Sequence, residues 1–229
     1  MTQDQAQRLW DRSSALGRGA RIVEIGSYRG RSAIVLAHAA DPGVEIVAID
    51  PHAGNDRGPQ QIEGTADEGQ SDHQAFVANL ERAGVRDRIR HVRLPSEYAG
   101  DEVEGEIDLL YIDGAHRYRF ARDDIVGWGA RLTRGGTMLI HDSFSSIGVT
   151  LALVAKLFLS RSFRYVGRAG SMAEYRQEPV GGWARFRNLL RQSAQLPWFV
   201  RNVVVKVLIV LHLTPLTRLL GHRGSTWPH

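Results

Sequence analysis

Arg21-Ile22-Val23-Glu24-Ile25-Gly26-Ser27-Tyr28-Arg29-Gly30 is the stretch that decides the fold. Its apolar run reads as a buried strand that ends at Gly26, and the apolar spacing resumes as a helix over Ser32–Ala40. Glycine takes backbone conformations closed to other residues and lets the chain pass close to a ligand, while the helix that follows offers free N–H groups. The dinucleotide pattern G-x-G-x-x-G sets its second glycine against a pyrophosphate. Tyr28 occupies that place here and the motif reads E-x-G-x-x-x-G. The turn therefore suits a nucleoside ligand without phosphates.

Outward from this turn, apolar runs alternate with helical patterns. A second strand, Glu45–Ile49, ends in Asp50, which lies 24 residues beyond Gly26. That distance equals one turn, one helix and one strand, the spacing that sets an acid on a ribose. The pattern continues with a helix over Gln74–Ala83, a strand over Ile89–Leu94 and a turn at Pro95-Ser96-Glu97. Next come a strand over Ile107–Ile112 ending in Asp113-Gly114-Ala115-His116, a helix over Phe120–Leu132, and a strand over Thr137–Ile140 ending in His141-Asp142. Two further strands follow, Phe163–Gly167 and Ser171–Arg176. The expected architecture is a doubly wound α/β fold, a mostly parallel seven-stranded sheet over residues 1–176, with a helical extension over 177–229.

S-adenosylmethionine fits the turn, because Glu24 at the strand end can hold its cationic ammonium. The segment resembles motif I of class I S-adenosylmethionine-dependent methyltransferases, whose sheet also closes with an antiparallel pair. The resemblance implies cofactor contacts from Glu24, Gly26, Ser27, Tyr28, Gly30 and Ser32, ribose contacts from Asp50, an adenine contact from Ser96 and a further contact from Asp113.

In an open α/β sheet ligands lie at the carboxyl ends of the strands, so Asp113, His116, His141 and Asp142 should share the crevice of Gly26 and Asp50. Carboxylates beside a methyl donor suggest a hard divalent cation that leaves positions open for two substrate oxygens and makes the attacking hydroxyl more acidic. The arrangement resembles metal-dependent O-methyltransferases of sugars and related natural products. It implies Mg²⁺ held by Asp113 and Asp142; at His141, where a carboxylate is usual, either the imidazole is a third ligand, which makes Mn²⁺ or Fe²⁺ more acceptable, or the metal has one ligand fewer. His116 is the expected base, and His141 is open between ligand, base and orienter. The implied acceptor is a hydroxyl of a sugar or oligosaccharide, a mannoside above all. A catechol-like natural product and a non-catalytic cofactor-binding module acting at a membrane or in a complex are the alternatives.

Composition limits the rest. The 229 residues include no cysteine, which excludes disulfides, zinc-thiolate sites and thiol nucleophiles. The N-terminal residues show no basic start or apolar run, so a cytoplasmic location is expected. The formal net charge is +4; residues 177–229 carry +6 of it, leaving −2 on the first 176. With its charge in the tail and no aromatic-arginine platform, the chain is not expected to bind nucleic acid. The polar segment 52–74 is long for a connection and is expected to form a lid that contacts the acceptor. Over 198–213, Arg201, Asn202, Lys206 and His212 fall on one side of a helical wheel, and Phe199, Val203, Val204, Val207, Leu208, Val210 and Leu211 on the other. The expected use of that apolar side is a homodimer contact or packing on the chain's own core, with peripheral membrane contact as the alternative.

Overall fold

The structure is a computed structural model that describes residues 1–54 and 65–222. Its strands are β1 (Arg21–Ile25), β2 (Glu45–Ile49), β3 (Ile89–Val92), β4 (Ile107–Ile112), β5 (Leu132–Ile140), β6 (Phe163–Ala169) and β7 (Met172–Gln177). They form one seven-stranded sheet in the order β3-β2-β1-β4-β5-β7-β6. The first five are parallel, and β7 runs antiparallel to both β5 and β6. Strand order reverses between β1 and β4, which opens a crevice at their carboxyl ends.

Helices cover both faces, which is why β4 reads as an almost unbroken apolar run rather than an alternation. On one face Val23, Val47, Leu110 and Ile112 pack with residues of α4 (Tyr118–Gly127) and α5 (Ile147–Lys156). On the other, Ile22, Ile46, Leu109 and Tyr111 pack with residues of α1 (Gln3–Ser14), α2 (Arg31–Ala39) and α3 (Ala66–Arg82). Neither α1 nor α5 was expected from the sequence. α1 starts with a capping box between Thr2 and Gln5 and is pinned to β7 by Arg8 and Arg12, whose guanidiniums lie 3.0 and 2.7 Å from the buried Glu174 carboxylate.

The 52–74 segment is only partly a loop. α3 begins at Ala66 rather than Gln74, because Thr65 and Glu68 form a second capping box: the Thr65 N–H donates to Glu68 Oε2 at 2.8 Å. The remainder of the expected lid, 55–64, lies outside the described residues. The closing strands and β4 stand where the sequence placed them, within two residues.

The extension forms α6 (Gly182–Ser193) and α7 (Leu196–Val210), followed by a 3₁₀ turn over Thr214–Leu220. α6 is held by Asn188, which accepts from the Tyr165 N–H at 2.7 Å and donates to Phe163 O at 3.1 Å. In α7 Phe199 packs on the core, but most of the expected apolar side does not. Asn202 is buried, while Val204, Val207, Val210 and Leu211 are exposed. Of the polar side, Asn202 and Lys206 are turned inward, where they have partners, while His212 is exposed. Asn202 Nδ2 donates to Phe144 O at 3.3 Å, and Lys206 Nζ donates to Ser145 O at 2.7 Å. Those two carbonyls lie in the turn that joins β5 to α5.

Candidate active site

The turn after β1 is built by backbone strain and backbone hydrogen bonds. Gly26 has φ +85°, and a Cβ there would come 2.7 Å from Gly114 Cα, against the backbone at the end of β4. Its bareness thus serves the packing of strand end on strand end as much as access for a ligand. Tyr28 follows at φ 46°, uncommon for a bulky residue. Asp50 holds it in that state: Oδ2 accepts from the Tyr28 N–H and Oδ1 from the His52 N–H, both at 2.8 Å. The His52 ring closes the loop through Nε2, 2.7 Å from Tyr28 O. Each Asp50 oxygen keeps a lone pair for a further donor. His52, His73, Phe76 and His91 pack beside it, mostly edge-on or tilted, with ring centroids 4.8 to 5.3 Å apart. Burial lowers the His91 pKa to about 4 and keeps that ring neutral. This cluster was missed at the level of sequence, since its members come from three separate segments.

Glu24 is the most telling residue of the crevice. It is fully buried, and neither carboxylate oxygen has a hydrogen-bond partner. Burial pushes its pKa from 4.5 to about 7; the nearby Ser27 and Ser32 hydroxyls pull it back, and the charges of Asp113 and Asp50 push it further. Neither hydroxyl closes a well-aligned bond onto it. A buried carboxylate with nothing to bind carries a large desolvation cost, and a cation placed beside it would recover that cost. A ligand with an ammonium and a sulfonium suits this position.

Asp113, His116, His141 and Asp142 do meet at the ends of β4 and β5. They meet as two Asp–His ion pairs. His141 Nδ1 lies 3.0 Å from Asp113 Oδ1 and 3.6 Å from Asp142 Oδ2, and His116 Nε2 lies 3.0 Å from Asp142 Oδ2. Tyr111 donates to Asp113 Oδ2 at 2.9 Å. Burial opposes charge on the His141 ring, but Asp113 and Asp142 outweigh it and raise its pKa to about 10, so the ring carries both protons at neutral pH. His116 is raised too, burial again being outweighed by Asp142 and then Asp113. Asp142 is held well below the carboxylate range, because the two imidazoles overcome its own desolvation.

This arrangement does not suit the expected metal. Among the described residues no group of three His, Asp or Glu side chains converges as a ligand set. His141, expected as ligand, base or orienter, faces both carboxylates through Nδ1. Its other nitrogen lies 3.4 Å from Gln5 Oε1, so α1 reaches the site from beneath. The Ser96 hydroxyl donates to Asp124 Oδ1 of α4 at 2.5 Å.

Asp142 and Phe144 have φ 53° and 58°, so the turn after β5 is strained where it carries the site. Asn202 and Lys206 of α7 hold that turn. Burial lowers the Lys206 pKa, and the charge of Asp142 partly offsets this. Hydrophobic patterning gives no hint of either contact, because it marks these residues as the solvent side of the helix.

The chain belongs to the methyltransferase domain family Methyltransf_24, whose profile matches residues 23–143. It is 30% identical over 133 residues to the catechol O-methyltransferase of Mycobacterium tuberculosis (strain ATCC 25618 / H37Rv), covering 58% of this chain and 51% of that protein. The chain thus spans about half the length of this curated relative. Among solved structures, SAH-bound Podospora anserina methyltransferase PaMTH1 superposes with a TM-score of 0.57 at 20% identity, covering 78% of this chain and 80% of that one. The O-methyltransferase from Bacillus cereus in complex with SAH gives 0.54 at 16% identity, covering 78% and 82%. At such identities the likeness is one of fold: the sheet is that of the class I methyltransferases.

Proposed function

We propose that the chain is an S-adenosylmethionine-dependent O-methyltransferase that acts on a phenolic hydroxyl, with a catechol-like vicinal diol as the acceptor class. The observation that carries this reading is Glu24, a buried carboxylate without a partner at the mouth of the glycine turn, beside Asp50 and Asp113. S-adenosylmethionine supplies an electrophilic methyl group on a sulfonium when bound. The residues of the chain then have to hold it, align the acceptor and accept one proton. Glu24 would hold the ammonium, and the second lone pairs of Asp50 would accept from the ribose hydroxyls.

His116 takes the acceptor's proton, and Asp142, 3.0 Å away, stabilises the imidazolium that forms. His141, already charged, lowers the cost of negative charge on the attacking oxygen. No step is assigned to a metal, because among the described residues no three His, Asp or Glu side chains form a ligand cluster. That choice favours a phenol as acceptor. A phenol titrates near pH 10, within reach of an imidazole whose pKa is raised, whereas an alkyl hydroxyl lies far closer to water at 15.7. The name of the curated relative, a catechol O-methyltransferase, supports the same class. The second reading is a sugar or mannoside acceptor with Mg²⁺, which the polar composition of residues 52–73 favours.

The test is radiolabelled methyl transfer from S-adenosylmethionine to matched panels of catechols and mannosides, each with Mg²⁺ and with EDTA. Transfer to catechols that persists in EDTA and is lost in His116→Gln is the expected result. Transfer to mannosides alone, abolished by EDTA, would establish the second reading. Failure to bind S-adenosylmethionine would overturn both.

A further inference from the structure

The outer surface of the C-terminal extension remains unexplained by the site. In α7 Val200, Val204 and Val207, with Leu211 at its C-cap, follow i, i+4, i+7, i+11 spacing, which puts them on one face, and all four are exposed, Leu211 by 59%. The 3₁₀ turn continues the theme at its own period: Leu213, Leu216 and Leu219 are exposed, Leu219 by 84%. Arg201 ties the two segments together by donating from Nε to Leu220 O at 2.8 Å. α6 carries a similar stripe in Trp183, Phe186 and Leu190. Soluble chains rarely leave contiguous apolar faces uncovered.

Two observations identify what covers this one. The first is charge. Glu178 is the last acidic residue of the chain, whereas Arg187 and Arg218 are exposed beside the apolar stripes. A two-fold interface through this surface would place an acid-free basic segment against its own copy, whereas an anionic surface complements it. The second is the inward orientation of the polar side. Asn202 and Lys206 are committed to the 142–146 turn, so α7 cannot roll over to bury its valines without leaving Phe144 O and Ser145 O without those donors. The stretch Gly182–Val210 is also the one helical segment among the described residues long and apolar enough to cross a bilayer. The break between α6 and α7 and the inward bonds of Asn202 and Lys206 make it a helix pair that lies on a surface rather than one that spans it.

We propose that the outer face of α7 and the 214–220 turn docks the protein on an anionic lipid bilayer, with valine and leucine side chains inserted at the headgroup boundary and arginines against the lipid phosphates. Docking leaves the inner face of α7 free to keep holding the turn that carries Asp142, so the crevice and the bilayer flank one helix.

The experiment is cosedimentation of the full chain with large vesicles of phosphatidylcholine alone or mixed with phosphatidylglycerol, alongside light scattering for mass in solution. Binding to the mixed vesicles only, weakened by added salt and lost in Val204→Glu/Val207→Glu, is the expected result. Leu219→Glu, at a position exposed to solvent, provides a second variant whose fold is not at stake, and it should weaken binding in the same way. S-adenosylmethionine binding by both variants reports that the site is intact. Three outcomes would overturn the proposal: no vesicle binding, binding unaffected by the substitutions, or a dimer that the substitutions dissociate.

Discussion

Replacing Glu24 with Gln should make the ligand-free protein more stable and its cofactor binding weaker. The rise of the Glu24 pKa from 4.5 to about 7, at 1.36 kcal/mol per pKa unit, corresponds to about 3 kcal/mol. The folded chain holds this proton more tightly than the unfolded chain does. The stability this provides is therefore fully present below about pH 4.5 and is lost as the pH rises through about 7. Gln has no proton to lose. Urea unfolding of both proteins from pH 4.5 to 8 should show the difference between them moving in favour of the variant, by roughly 1.4 kcal/mol per pH unit up to about 7 and level beyond. Calorimetric titration at pH 8 should show the opposite sign for function. Loss of a charged contact, about 1.5–3 kcal/mol, weakens S-adenosylmethionine binding by about ten- to a hundredfold. A variant whose stability tracks the wild type across this range, or one that binds the cofactor normally, would refute the assignment of Glu24 as a carboxylate kept buried for a cationic ligand.

Three other outcomes follow from the geometry. His116→Gln should cost about 10²–10⁴ in kcat; because the base must be neutral and its pKa is raised, wild-type activity should climb with pH through a midpoint above 6.5, and Asp142→Asn should move that midpoint down in a pH–rate profile. Gly26→Ala should lose at least about 1–2 kcal/mol from its left-handed backbone alone, with more from the collision at Gly114, and thermal unfolding should show a lower Tm. Asn202→Leu strands Phe144 O and should cost about 1–3 kcal/mol; since that carbonyl belongs to the turn of Asp142, kcat should fall while the KM for S-adenosylmethionine holds.

The succession of strands along the chain, the glycine turn and the placing of Glu24, Asp50, Asp113, His116, His141 and Asp142 at the carboxyl ends of strands were all legible in the sequence. Each depends on a local rule: a parallel sheet buried on both faces needs apolar runs, left-handed backbone favours glycine, and strand ends face one crevice. The Thr65–Glu68 capping box was legible too, though the apolar pattern alone puts the start of that helix eight residues too late. Tertiary structure decided which groups pair within the crevice. It sets His141 Nδ1 3.0 Å from Asp113 Oδ1, a distance on which spacing along the chain is silent. It also decided which way α7 faces. Amphipathicity tells two sides of a helix apart, but the side that turns inward is the one with partners, and here the carbonyls of a strained turn 58 and 61 residues earlier outweighed the valines.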